Sequence, residues 1–177
     1  AEARPWETVG GVGFGGAVEP RQGGAKSAAG YRKPETRRDL DHKSADAKKV
    51  AEEYNDKAVA AFKDKSWQLC YDLASEAIRL NPRKTAYLGN RAAAALKIKS
   101  RPMLRQAAED SVLAYELDPS YTKAYARAAM AHLELGERAT VRLAVEECEK
   151  ALKLAPDSSA YKEALKDAQL TWEADWA

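Results

Sequence analysis

The stretch Ser75-Glu76-Ala77-Ile78-Arg79-Leu80-Asn81-Pro82 returns as Ser111-Val112-Leu113-Ala114-Tyr115-Glu116-Leu117-Asp118-Pro119. It returns again as Cys148-Glu149-Lys150-Ala151-Leu152-Lys153-Leu154-Ala155-Pro156. The three closing prolines stand 37 residues apart both times, and the same residue kinds recur upstream of each. Five before the proline is an alanine (Ala77, Ala114, Ala151), and two before it a leucine (Leu80, Leu117, Leu154). Twelve before it is a small residue (Cys70, Ala107, Ala144), and fifteen before it a large apolar one (Trp67, Leu104, Val141). Proline cannot continue a helix and turns the residue before it away from helical backbone, so each phrase reads as a helix brought to a stop.

A second phrase precedes the last two copies. Asn90-Arg91-Ala92-Ala93-Ala94-Ala95-Leu96 matches Arg127-Ala128-Ala129-Met130-Ala131-His132-Leu133, with Ala92 and Ala129 again 37 apart. An earlier version, Tyr54 to Phe62, places Ala58 at 34 residues before Ala92. Each unit is therefore two amphipathic segments, A then B, and periods of this size mean stacked helical hairpins. The expected fold is all-α throughout 45–175, because apolar spacing is helical and no alternating strand pattern interrupts it.

Working outward, Ser44 is a good N-cap with Asp46 in the first turn, so helix 1A runs from there to about Phe62. Trp67 to Leu80 form 1B; 84–98 and 103–117 form 2A and 2B; 121–135 and 139–154 form 3A and 3B. Pro102 suits the start of 2B and Gly136 the end of 3A. The residues beyond a 34-residue unit are expected in the A-to-B turns, around Lys99 to Pro102 and Gly136 to Arg138, where insertion is cheapest. Beyond Pro156, Tyr161, Leu165, Ala168 and Trp172 recur at helical spacing. That segment, 158–177, reads as a helix covering the open end of the stack, with Lys162, Glu163, Lys166 and Asp167 on its polar side and Trp172 and Trp176 in cap packing.

These units, at 44–82, 83–119 and 120–156, resemble the tetratricopeptide repeat, a 34-residue helix-turn-helix. Tyr54, Leu88 and Tyr125 fit its aromatic or leucine column early in helix A, and Ala58, Ala92 and Ala129 its small-residue column. They depart from it eight residues before the proline, where the family places an aromatic and this chain has Ala74, Ser111 and Cys148. The resemblance implies an α-solenoid of three hairpins plus a capping helix, with the A helices lining a concave groove. The groove residues are then Asn55, Val59 and Phe62 on 1A, Ala86, Asn90, Ala93 and Lys97 on 2A, and Lys123, Arg127 and Met130 on 3A. An apolar floor with a few convergent polar donors suits an extended peptide.

Asn90-Arg91-Ala92-Ala93 also resembles the wording of chaperone-adaptor repeats, those of Hop and of the co-chaperones that carry a J domain. In that family five residues clamp the C-terminal aspartate of heat-shock chaperones: Lys and Asn on helix 1A, Asn on 2A, and Lys and Arg four apart on 3A. Asn90 falls on the 2A position, and Lys123 and Arg127 on the two 3A positions. Two registers are open for 1A. The gapless one sets Asn55 on the lysine position and Val59 on the asparagine position; a four-residue shift sets Asn55 on the asparagine position and Ala51 on the lysine position. The resemblance implies a protein-protein adaptor that binds an acidic C-terminal tail. The alternative is a structural subunit of a larger assembly, anchored through its N-terminal segment.

That segment, 1–43, holds eight of the ten glycines and a scatter of apolar residues from Trp6 to Tyr31. Glycine loses the most entropy on ordering, so 1–43 reads as a flexible tail, or a docking segment ordered by a partner. Residues 1–44 carry 8 basic and 6 acidic side chains and the remainder 21 of each, a balance that argues against nucleic-acid binding. No run of 18 apolar residues marks a membrane span, so a soluble chain is expected. Cys70, Cys148, His42 and His132 lack the spacing of a metal site. The cysteines read as buried free thiols, which fits the cytoplasm or another reducing compartment. Neither a phosphate loop nor a nucleophile arrangement is present, so the expectation is no enzyme and no cofactor.

Overall fold

The computed structural model describes residues 33–34 and 44–176, with side chains through residue 174. The tail or docking segment expected at 1–43 lies outside the described residues apart from Lys33 and Pro34, as does the side chain of Trp176. Among the described residues there are seven helices and no strand. They are α1 (Ala45–Lys63), α2 (Trp67–Leu80), α3 (Thr85–Ile98), α4 (Arg101–Leu117), α5 (Thr122–Leu135), α6 (Arg138–Leu154) and α7 (Ser159–Trp176). Each packs on its neighbours in sequence, and the A helices also meet one another, α1 on α3 and α3 on α5.

Local chemistry explains the boundaries. The Ser44 hydroxyl accepts from the Ala47 N–H at 3.0 Å, capping α1 as its sequence requires. Each A helix is followed by one residue in the left-handed region, at the same place in every unit: Lys65 (φ 58), Lys99 (φ 59) and Gly136 (φ 65). Only the third is glycine, the residue that adopts this conformation without steric cost.

One expectation is corrected. Ala58, Ala92 and Ala129 all stand nine residues before the first residue of the following B helix, so the A-to-B turns are not lengthened. The extra three residues lie inside the B helices: α4 and α6 have 17 residues where α2 has 14. Pro102 falls in the first turn of α4, where its missing N–H leaves no helical hydrogen bond unmade.

The repeated columns are the core. Ala77, Ala114 and Ala151, and likewise Cys70, Ala107 and Ala144, are all fully buried. Such small residues set how closely packed helices approach. The column eight before the proline is buried too, at Ala74, Ser111 and Cys148, small residues where the family places an aromatic. The leucine column is less uniform, from 0% exposed at Leu80 to 46% at Leu154. On α7, Tyr161, Ala164 and Ala168 are buried against the stack, while Trp172 lies under the Arg138 guanidinium at 5.5 Å.

Two polar ties cross the core. Arg91 on α3 donates from Nε and Nη2 to both oxygens of buried Asp110 on α4, each at 2.7 Å. Gln106 also donates to Asp110, and Arg91 lies over the Tyr71 ring. Burial works against the Arg91 charge, but the Asp110 carboxylate more than offsets it and keeps the guanidinium protonated. Between α5 and α6, His132 Nδ1 lies 2.8 Å from Glu147, and the Tyr115 hydroxyl reaches the same carboxylate at 3.4 Å. Burial raises the Glu147 pKa, with His132 acting in the opposite direction.

Candidate peptide-binding site

Polar groups on the three A helices meet across the face where α1, α3 and α5 lie side by side. Asn90 Nδ2 on α3 donates to Asn55 Oδ1 on α1 at 2.8 Å. Each amide nitrogen carries two N–H groups, so one on Asn90 and both on Asn55 remain for another acceptor. On the other side of α3, Arg127 of α5 extends over Gly89, the residue next to Asn90. A Cβ built on Gly89 would lie 2.6 Å from Arg127 Nη1 and 2.5 Å from the Tyr121 hydroxyl. Arg127 Nη1 donates to that hydroxyl at 3.0 Å. The Asn55–Asn90 pair and Arg127 thus meet α3 at its neighbouring residues 90 and 89.

Arg127 is only 6% exposed, yet no carboxylate among the described residues pairs with it. Arg91, with its side chain 18% exposed and so less deeply placed, does carry an acid, Asp110. Arg127 also faces Tyr161 on α7, whose hydroxyl burial pushes up in pKa and the nearby guanidinium pulls back. Lys123 lies one turn before Arg127 on α5, half-buried and likewise without an acid partner among the described residues.

The remaining groove residues divide. Val59, Ala86 and Lys97 are half-buried on their helices. Phe62, Ala93 and Met130, expected as an apolar floor, belong instead to the hydrophobic cores, at 8%, 3% and 8% exposed. Phe62 stands one turn after Ala58 on α1 and so shares that alanine's buried face. Asn55 and Val59, the helix 1A positions of the gapless register, are both half-buried on α1. Neither is a lysine.

Three groups are absent from the apolar periodicity. Gly89 and Tyr121 seat Arg127, and Arg91, adjacent to Asn90 in sequence, points to Asp110 and is structural. The one signal for Gly89 is its position as a lone glycine inside a helical pattern. A depression of about 330 Å³ on α4, lined by Arg101, Pro102, Arg105, Gln106 and Glu109, includes none of these residues; all its walls come from one helix face. Cys70 and Cys148 are buried free thiols, and no cluster of potential metal ligands exists among the described residues. No described helix is long and apolar enough to cross a membrane.

No family model matches the chain. Rat serine/threonine-protein phosphatase 5 is 33% identical over 125 residues, covering 71% of this chain and 22% of that protein. The chain thus spans about a fifth to a quarter of the length of the first curated relatives it matches. The second repeat domain of human RPAP3, solved in complex with the HSP70 peptide SGPTIEEVD, superposes with a TM-score of 0.64 at 26% identity, covering 70% of this chain and 98% of that one. The Arabidopsis OM64 TPR domain superposes with a TM-score of 0.64 at 31% identity, covering 70% of this chain and 98% of that one. A relative this similar, matched over nearly its whole length, shows that the chain belongs to the tetratricopeptide repeat family.

Proposed function

We propose that the chain is a non-catalytic adaptor whose A-helix face binds the acidic C-terminal end of a partner protein, with heat-shock chaperone tails as the partner class. The observation that carries this reading is Arg127, a buried guanidinium without an acid partner among the described residues. A charge withdrawn from water is costly unless an opposite charge and hydrogen bonds replace the solvent. A carboxylate entering beside Arg127, within reach of Lys123 and the amides of Asn55 and Asn90, would supply both. Hydrogen bonds with an ionised partner are the stronger kind. The related RPAP3 domain holds a peptide that ends in two glutamates, a valine and an aspartate, which supports this ligand class. Asn55 and Val59 bring no cation from α1, so the charge on this site comes from Lys123 and Arg127, and both should be needed. Two free thiols on separate B helices are consistent with a reducing compartment, and we place the function there.

The test is fluorescence anisotropy with a labelled SGPTIEEVD peptide. Each lost charge-assisted hydrogen bond is worth roughly 1.5–3 kcal/mol, so Lys123→Ala/Arg127→Ala should weaken binding by about 100-fold or more. Unchanged affinity in the double variant would remove this reading.

A further inference from the structure

We infer that Gly89 and Tyr121 are positioning residues: together they seat the Arg127 guanidinium where a peptide carboxylate meets it. The inference rests on the binding reading above and assigns residues that the charge pattern does not mark. Gly89 lies in the interior of α3, between Leu88 and Asn90, where glycine weakens a helix relative to alanine. Its backbone is helical, so no left-handed turn explains it. Space does: a Cβ there would come within 2.6 Å of Arg127 Nη1 and 2.5 Å of the Tyr121 hydroxyl, closer than nonbonded atoms approach. The missing side chain is the gap the guanidinium lies in. Tyr121, at the N-cap of α5, closes that gap from the far side by accepting from Arg127 Nη1 at 3.0 Å. A phenol satisfies one N–H without neutralising the charge, so the cation stays available to an anion. An acid at this place would instead pair with Arg127 and compete with the ligand.

The atoms a Cβ would strike are the far ends of two side chains and not backbone. Gly89→Ala is therefore expected to displace Arg127 and Tyr121 without unfolding α3. Tyr121→Phe keeps the ring and removes only the acceptor.

The experiment uses the full chain and two readouts. Side-chain 15N–1H spectra without peptide report whether the Arg127 guanidinium is held, its signals assigned by loss in Arg127→Ala. Anisotropy with free-acid and amidated SGPTIEEVD reports binding, and thermal melts report folding. In Gly89→Ala the Arg127 signals should shift or collapse and free-acid affinity fall by about 10-fold or more, with Tm at or above that of wild type. Tyr121→Phe should move the same signals and weaken binding less. If wild type prefers the free acid while both variants keep its affinity, the positioning role is overturned and the binding reading stands. Equal affinity of wild type for the free acid and the amide overturns the binding reading, and this inference with it.

Discussion

Arg91 and Arg127 occupy neighbouring A helices and have opposite fates. Arg91 is closed by Asp110 through two 2.7 Å hydrogen bonds, whereas Arg127 donates to the Tyr121 phenol and pairs with no carboxylate among the described residues. Asp110→Ala would strand the Arg91 charge between α3 and α4, and breaking a buried pair from one side costs about 3–5 kcal/mol. Urea unfolding should show that loss, while Glu146→Ala, which removes the exposed pair with Arg142, should change stability by less than about 1 kcal/mol. The thiols give a second residue-scale prediction. Burial pushes Cys70 and Cys148 up to about 12, so at pH 8 only roughly one molecule in ten thousand carries either thiolate. Disulfide-exchange reagents should label neither cysteine in the native chain and both in denaturant. The sign of the linkage follows: the folded pKa is raised above the ordinary value near 9, so this contribution is intact below about pH 9 and lost as pH rises beyond it.

At the scale of elements, the alanine columns set the helix crossings. Ala77→Leu or Ala114→Leu overpacks a fully buried site and should cost about 1–3 kcal/mol or more, whereas Lys150→Leu, at an exposed position on α6, should be mild. Melts that rank Lys150→Leu as the worst of the three would contradict this packing. The left-handed column gives a matched pair. Gly136→Ala should destabilise, and Lys65→Gly should stabilise, each by about 1 kcal/mol, because only glycine accepts φ near +60 without steric cost. Helix identity and pairing were legible in the sequence because alanine, leucine and proline recur in columns that helical packing requires. The site of the three extra residues was not. Pro102 suits a helix start and Gly136 a helix end, which points to the turns beside them, yet the added length went into α4 and α6. Asn90, Lys123 and Arg127 were legible only through the resemblance to chaperone-adaptor repeats, as candidates for a site. Gly89 and Tyr121 were not, since their role is to leave or close a gap, and a gap has no periodicity.

The described helices form a row of hairpins in which each is covered by the next, so the end of the row needs its own cover. Helix α7 provides it: Ala164 and Ala168 join the core of α3 to α6, and Tyr161 packs with Tyr125, Ala126 and Ala151. Truncation after Pro156 should lower Tm and expose Cys148 to labelling, and a chain that melted unchanged would show the cap to be dispensable. On the face where the A helices meet, Asn55 bonds Asn90 and Arg127 lies over the adjacent Gly89. The most direct test of that face as a carboxylate site is the affinity of wild type for SGPTIEEVD with a free C-terminus and with that carboxylate amidated, measured at low salt. Loss of hydrogen bonds to a charged group predicts binding about 10-fold or more weaker for the amide. Equal affinity for the two peptides would contradict the account.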